Sequence, residues 1–445
     1  MKNIFYILTI AFILNLTGLK AQYNIFGQLN PKGDYAQVLL YKTQGAFQYY
    51  KASTEIDSLG MFGFRLPENF ETGSYRLVYN TQKNLYVNII YNQENVSFTC
   101  NPEDVTNTIY FFDSKENSKF FDYIKQINVK YIELDSIQKL CYQDYSNEKL
   151  VRKYISKNAE INAFQNYFEQ ETKGMLVNNF IKAYKKTNPE LPLKSKLDYY
   201  LYLRKNFLNN IDFQNETLRN SSFIIDRLNE YVFDLNEAIA KKANNPLDTL
   251  MIDMALDKID ASKFKDEVIY SLTSSAYDPY SSQYDLLLDY LHSKYYVSLP
   301  ETIKNQDFTK MVESKLNVIV GKKAPNIKLD NGSLYDIKSD KIMVVFWSTT
   351  CSHCLKEIPE VYEFLKDDKT IKVILVAIED EYSDWEHVIP SYPNWTHLRA
   401  NGKWENEYAK AYNVKSTPAY FVLDKDKIII AKPDDVKALK LELVK

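Results

Sequence analysis

Val344-Val345-Phe346-Trp347-Ser348-Thr349-Thr350-Cys351-Ser352-His353-Cys354-Leu355-Lys356-Glu357 is the stretch of sequence that decides the fold of the C-terminal region. An apolar run ends at Trp347, two cysteines follow with two residues between them, and an amphipathic pattern begins. This order predicts a strand, a turn and a helix, with both cysteines at the start of the helix. A helix N-terminus presents unpaired N–H groups and the positive end of the helix dipole, so it favours a thiolate. The stretch therefore predicts a dithiol/disulfide redox site.

The sequence around this stretch alternates between buried-type strands and helical patterns. Strands are predicted over residues 342–347 and 371–378, helices over 352–364 and 404–412, a hairpin over 419–423 and 427–431, and a last helix over 434–444. Strands and helices in this order are typical of an α/β domain with a mixed sheet, which we place at residues 318–445.

Two different patterns precede that domain. Residues 22–110 contain short runs rich in β-branched and aromatic residues, separated by turn residues, and predict an antiparallel β-sandwich. Residues 111–317 carry apolar residues at helical spacing and predict an α-helical domain. The predicted fold class is therefore multidomain, with an N-terminal all-β sandwich, a central α-helical domain and a C-terminal α/β domain.

The first residues have the features of a targeting segment. Lys2 precedes an apolar run from Ile4 to Leu16, and Ala21 ends a plausible cleavage site. These features predict a signal peptide over residues 1–21, with a retained membrane anchor as the alternative. After cleavage the chain would be soluble and periplasmic or otherwise extracytoplasmic. The net charge is −3, without a basic block, so the sequence offers no case for nucleic acid.

Two further cysteines lie far upstream of the redox pair. Cys100 and Cys141 could form a structural disulfide or remain as two buried free thiols, because sequence spacing does not position their Cβ atoms. A zinc site usually needs a second ligand pair at short spacing, and only His387 and His397 follow Cys354 among the cysteines and histidines. We therefore expect no metal and no cofactor.

The C-terminal region resembles the TlpA/ResA-like, extracytoplasmic branch of the thioredoxin fold. The matching features are Gly321-Lys322-Lys323-Ala324-Pro325, Phe346-Trp347, Cys351-Ser352-His353-Cys354, Glu357, Pro359, and the run from Ser416 to Asp424 with Thr417-Pro418. The helical and sandwich regions resemble uncharacterised modules found in exported bacterial proteins. The resemblance implies a thioredoxin fold over residues 318–445 and a protein-disulfide oxidoreductase.

The resemblance also implies roles for individual residues. Cys351 would attack a partner disulfide, and Cys354 would resolve the mixed disulfide, leaving a Cys351–Cys354 disulfide. Thr417, Pro418 and Trp347 would contribute to the substrate-binding side. Glu357 would move protons to or from Cys354, since Val345 occupies the position of the usual buried acid of thioredoxins.

The direction of electron flow stays open at this stage. His353 between the cysteines can stabilise the Cys351 thiolate, which makes the disulfide more oxidising and favours an oxidase or isomerase. The resemblance instead favours a reductant. Thr350 replaces the tryptophan that the family often has before the first cysteine, so the partner surface is expected to differ.

Three functions compete on the sequence. The favoured one is disulfide exchange with exported proteins that carry cysteines, supported by a membrane or periplasmic thiol–disulfide electron partner. The second is a peroxidase, but Thr349 is one residue short of the required spacing to Cys351 and the motif proline is absent. The third is a binding or chaperone-like module for exported proteins, in which redox activity is secondary.

Overall fold

A computed structural model describes residues 23–379 and 384–444, so the predicted signal peptide over residues 1–21 lies outside the described residues. The chain divides into two units, residues 1–227 and 228–445. The domain boundaries predicted at residues 110 and 317 stay predictions. In the described part of the chain, no helix combines the length and the apolar character needed to cross a bilayer.

The first unit begins with two four-stranded sheets that share one apolar core. Apolar side chains from both sheets point inward, and Ile25, Leu40, Tyr75 and Phe98 meet in this core. The strands are β1 (Asn24–Leu29), β2 (Gln37–Gln44), β3 (Phe47–Glu55), β4 (Met61–Arg65), β5 (Gly73–Asn80), β6 (Leu85–Tyr91), β7 (Val96–Cys100) and β8 (Tyr110–Asp113). Their orders are β4-β1-β7-β8 and β3-β2-β5-β6, and the predicted N-terminal sandwich is confirmed.

The sandwich departs from the prediction in three places, one of which is the unpredicted strand β8. It is not wholly antiparallel, because β1 runs parallel to β7. Strand β3 was not predicted, since its side chains are mostly exposed and polar and give no alternating apolar signal.

Helices fill the rest of the first unit, as predicted. They are α1 (Val105–Thr108), α2 (Lys115–Gln143), α3 (Glu148–Glu171), α4 (Val177–Tyr184), α5 (Lys196–Asn206), α6 (Glu216–Arg219) and α7 (Phe223–Asn229), which continues beyond the unit boundary. The buried Tyr123 hydroxyl of α2 donates to Gln165 Oε1 of α3 at 2.6 Å. Cys100 and Cys141 are buried free thiols.

The second unit begins with more helices. A π-helical segment over Glu230–Leu235 leads into α8 (Asn236–Ala243), α9 (Leu250–Leu256), α10 (Lys263–Ala276), α11 (Asp285–Lys294) and α12 (Gln306–Leu316). This confirms the predicted helical character of the central region.

The rest of the second unit is an α/β domain built on a five-stranded mixed sheet. Its elements are β9 (Lys328–Leu329), β10 (Gly332–Ser333), β11 (Lys341–Trp347), α13 (Ser352–Leu365), β12 (Ile371–Glu379), α14 (Trp385–Val388), β13 (Thr396–Asn401), α15 (Glu407–Ala411), β14 (Ala419–Asp424), β15 (Ile429–Ala431) and α16 (Val436–Val444). The sheet order is β13-β12-β11-β14-β15, and β9 and β10 form a separate small hairpin. The predicted α/β thioredoxin fold is confirmed.

The β9–β10 hairpin and helix α14 were not predicted, and two further elements of this domain differ from the prediction. Strand β13 was missed, because the sequence Thr-His-Leu-Arg-Ala-Asn lacks an apolar run. The helix predicted over residues 404–412 is shorter and begins only at Glu407, where Asn406 accepts a hydrogen bond from the Tyr408 N–H.

Asn117 joins helix α2 to strand β6 and should be important for stability. Its side chain is fully buried, accepts from the Ile90 N–H at 2.8 Å and donates to the Ile90 carbonyl at 2.7 Å. We expect Asn117→Ala to lower the free energy of unfolding by about 2–4 kcal/mol, because both backbone groups lose their partner. Urea denaturation measures this change. Asn107→Ala, an exposed control, should change it by less than about 0.5 kcal/mol, and equal effects would contradict the assignment.

Candidate functional site

Cys351 occupies the capping position at the start of helix α13. Strand β11, buried along almost its whole length, ends at Trp347, and Ser348–Thr350 lead to the cysteine. The Cys351 Sγ accepts a hydrogen bond from the Cys354 N–H at 3.2 Å. The sulfur therefore takes the place of the side-chain oxygen that usually caps a helix.

The two cysteines are free thiols in different environments. Cys351 is half-buried, whereas the Cys354 side chain is completely buried. Burial opposes ionisation of Cys351, but hydrogen bonds from Cys354 and Thr417 and from the N–H groups of Cys354 and His353 outweigh it and lower its pKa. Burial, followed by the hydrogen bond to Cys351, raises the pKa of Cys354 to about 12. At neutral pH a proton is therefore lost more readily from Cys351.

Thr417 lies beside the first cysteine, and Pro418 follows it directly. The Cys351 thiol donates to the Thr417 carbonyl at 3.3 Å, and the Thr417–Pro418 peptide bond is cis. Strand β14 begins directly after Pro418, so the sheet holds this carbonyl next to the sulfur.

Glu357 lies one helical turn after Cys354 and is half-buried. Its Oε2 accepts a hydrogen bond from the Tyr420 hydroxyl at 2.9 Å. Burial, this hydrogen bond and the charges of Glu357, Cys354 and Cys351 raise the pKa of Tyr420. Tyr420 therefore lies near both the carboxylate and the cysteine pair, although the sequence analysis did not single it out.

His353 and Trp347 differ in their exposure to solvent. The His353 side chain is exposed on the first turn of α13, and only its backbone N–H is directed at the Cys351 sulfur. Trp347 is fully buried in the same apolar cluster as Cys354, below the exposed site. Their assigned roles, like those of the other site residues, stay predictions.

Glu379 is a further site residue that the sequence analysis missed. It ends strand β12 and is fully buried, and its carboxylate accepts from the Thr349 N–H at 2.5 Å and from the Ser348 hydroxyl at 3.2 Å. The Ser348 carbonyl in turn accepts from the Cys351 N–H at 3.2 Å. Glu379 thus holds the loop that leads to the first cysteine.

A metal centre needs several ligands converging on one point. Within residues 23–379 and 384–444, no group of three or more His, Cys, Asp or Glu side chains is arranged to hold a metal ion. The chemistry that the described residues can supply here is that of the two thiols and the groups that contact them.

Comparison with known proteins identifies the domain around this site. The thioredoxin-like family matches residues 339–429, which include both cysteines, Glu357 and Pro418. The chain carries a thioredoxin-like domain. No curated protein matches the chain.

Solved bacterial structures also align with the chain. A domain of a possible thiol-disulfide isomerase from Cytophaga hutchinsonii is 32% identical, with 28% of this chain and 91% of that one covered and a TM-score of 0.25. A thioredoxin-like protein from Bacteroides caccae is 19% identical, with 58% and 98% covered and a TM-score of 0.42. The thioredoxin domain of a thiol-disulfide oxidoreductase from Bacteroides vulgatus is 25% identical, with 28% and 96% covered and a TM-score of 0.25.

The hydrogen bond from the Cys354 thiol should activate Cys351 in the thioredoxin-like domain. We expect Cys354→Ala to slow alkylation of Cys351 by iodoacetamide at pH 7 by about threefold to tenfold and to move its pH profile to higher pH, because the thiolate loses a donor. Cys354→Ser keeps a hydroxyl donor and should stay closer to the wild type. Peptide mass spectrometry can follow Cys351 separately from Cys100 and Cys141. Equal profiles for the Ala and Ser variants would contradict this assignment.

Proposed function

We propose that this protein is an extracytoplasmic thiol–disulfide oxidoreductase that exchanges disulfides with exported proteins through Cys351 and Cys354. The observation that carries the proposal is the asymmetry between two thiols three residues apart. Cys351 is accessible and has a lowered pKa, whereas Cys354 is buried and has a raised pKa. This is the division between an attacking and a resolving thiol that two-step exchange requires.

The reducing half of the reaction begins at Cys351. Its thiolate attacks one sulfur of a partner disulfide, forms a mixed disulfide and releases the first partner thiolate. Cys354 then loses its proton and attacks the Cys351 sulfur, which releases the second partner thiolate. Two electrons pass to the partner, and Cys351 and Cys354 are left as a disulfide. An external dithiol electron partner restores the dithiol, and the oxidising direction is the same sequence reversed.

Neighbouring residues support each step. The Thr417 carbonyl lies at the Cys351 sulfur and, with Pro418, offers backbone against which a partner strand can lie. Glu357 accepts the Cys354 proton when the resolving thiol is needed as a thiolate, and Tyr420 holds the Glu357 carboxylate in place. His353 tunes the potential from the exposed side of the first turn.

The proposed location and partners rest on the sequence. The targeting features of residues 1–21 support export, and the partners would be exported proteins with cysteines and a membrane or periplasmic thiol–disulfide electron partner. No nucleic acid is expected as a partner.

Removal of the attacking thiol tests the proposal. We expect the wild type to catalyse insulin reduction or reactivation of scrambled ribonuclease and Cys351→Ser to lose at least about a hundredfold of that activity, because serine does not form a mixed disulfide. Cys100→Ser is the matched control, since this thiol is buried in the other unit. Full activity in Cys351→Ser would refute the redox assignment.

The proton-transfer role of Glu357 can be tested separately. We expect Glu357→Gln to slow release of the mixed disulfide by about tenfold to a hundredfold, because the amide does not accept the Cys354 proton. Stopped-flow measurements with a model disulfide across a pH range give this rate. Glu363→Gln, an exposed position on the same helix, is the control. An unchanged pH profile in Glu357→Gln would contradict the proton-transfer role of Glu357.

A binding or chaperone-like module is the second candidate function. Tyr110 and Phe112 on edge strand β8 are 62% and 66% exposed and contact each other edge to face. An exposed aromatic pair on a sheet edge favours binding of an extended chain. Suppression of aggregation by a Cys351→Ser/Cys354→Ser variant would support this function, and its loss in Tyr110→Ser/Phe112→Ser would locate it.

A further inference from the structure

A cleft of about 130 Å³ opens beside the loop that contacts Cys351. Ser416 and Pro418, the residues on either side of Thr417, form part of its wall. The opposite wall comes from the loop before α11 and from the segment after β15, and both belong to the second unit. The residues that line the cleft are Pro279–Ser282, Lys315, Tyr412–Ser416, Pro418–Phe421 and Lys432–Asp434.

The charged residues that line this cleft are mainly cationic. They comprise Lys315, Lys415 and Lys432 against a single carboxylate, that of Asp434. The whole chain, in contrast, has a net charge of −3. The cleft is therefore a locally basic feature of an acidic protein, and two of its lining residues, Ser416 and Pro418, flank the residue that contacts Cys351.

Lys315 is already neutralised inside the protein. Its ammonium is 2.8 Å from the Asp285 carboxylate and donates to the carbonyls of Asp278 and Ser281 at 2.8 and 2.7 Å. Two hydrogen bonds and one ion pair therefore hold this ammonium inside the protein. Lys315 therefore supports the wall of the cleft, and Asp285 compensates its charge.

Lys432 differs from Lys315 because its ammonium has no such partners. It is half-buried, 5.5 Å from the centre of the Phe421 ring, and forms no hydrogen bond or ion pair with any residue that the structure describes. Burial lowers the pKa of Lys432, and the charge of Lys315 acts in the same direction, while Asp285 and Asp434 oppose the shift. Neither carboxylate forms an ion pair with this half-buried ammonium, and a carboxylate that enters the cleft would supply one.

We propose that this cleft selects partner disulfides that have an acidic residue close to the cysteine, with Lys432 binding the carboxylate. The proposal rests on the proposed function, since the selected partner is the disulfide that Cys351 attacks. The cleft volume suits one acidic side chain rather than a folded domain. A strand lying along Thr417 would place a residue two or so positions from its cysteine over this cleft, because strands rise about 3.3 Å per residue.

Matched peptide substrates test the proposal. Two-chain peptide disulfides are prepared with Glu, Gln or Lys at the second residue on either side of each cysteine, and dithiothreitol regenerates the enzyme. Reversed-phase chromatography measures kcat/KM for each peptide. We expect the wild type to prefer Glu over Gln by about threefold to tenfold, relative to the same ratio for uncatalysed exchange, as for a partly buried ion pair.

Variants of Lys432 identify the source of this preference. Lys432→Met should reduce the Glu-to-Gln ratio to that of uncatalysed exchange, and Lys432→Glu should prefer the Lys peptide. Lys437→Met removes the same charge from an exposed position on α16 and should keep the wild-type ratio. Thermal unfolding and the rate of Cys351 alkylation confirm that each variant is folded.

The failures of the two proposals can be told apart. Exchange that continues with the same Glu-to-Gln ratio in Lys432→Met and Lys432→Glu would overturn the role of Lys432 and leave the proposed function standing. Absence of exchange with every peptide, with the wild type no faster than Cys351→Ser, would overturn both. A ratio that falls equally in Lys437→Met would also overturn the proposal, because the effect would then come from overall charge.

Discussion

The hydrogen bond from the Cys354 N–H to the Cys351 sulfur is the interaction on which the site depends. It caps helix α13 and at the same time lets the first cysteine share the unpaired N–H groups at the helix start. The capping geometry also separates the two thiols, since the capping residue faces the surface and the residue three positions on faces the core. The capping N–H groups add to the hydrogen bonds from Cys354 and Thr417 that lower the pKa of Cys351, while burial raises the pKa of Cys354.

Sheet topology brings the remaining groups to this helix start. Strands β11 and β12 are parallel, so Trp347 and Glu379 end at the same edge of the sheet, while β14 is antiparallel and begins there after Pro418. Three neighbouring strands thus supply the loop that leads to the cysteine, the carboxylate that holds this loop and the carbonyl that contacts the sulfur. The central strand β11 is buried along almost its whole length, so these groups are attached to the core of the domain.

Much of this arrangement could be predicted from the sequence, and the failures have physical reasons. Strand β11, helix α13 and the cysteine pair follow from an apolar run, an amphipathic period and a short spacing, which are local signals. The role of Glu379 does not follow from a local signal. Glu379 is the first of three consecutive acidic residues in the sequence, and nothing in that run indicates that the Glu379 carboxylate is buried. Strands β3 and β13 were missed for a related reason: their pairing is fixed by neighbouring strands rather than by their own apolar residues.

Strand β14 carries residues that serve both kinds of chemistry proposed for the site. Successive side chains of a strand point to opposite faces, so Tyr420 points to the core that contains Cys354, and Phe421 points to the other core. Tyr420 contacts Glu357, on the side where the resolving thiol gains or loses its proton, whereas Phe421 lies beneath the Lys432 ammonium. Both residues also line the cleft, so the proposed proton transfer and the proposed partner selection meet on this one strand.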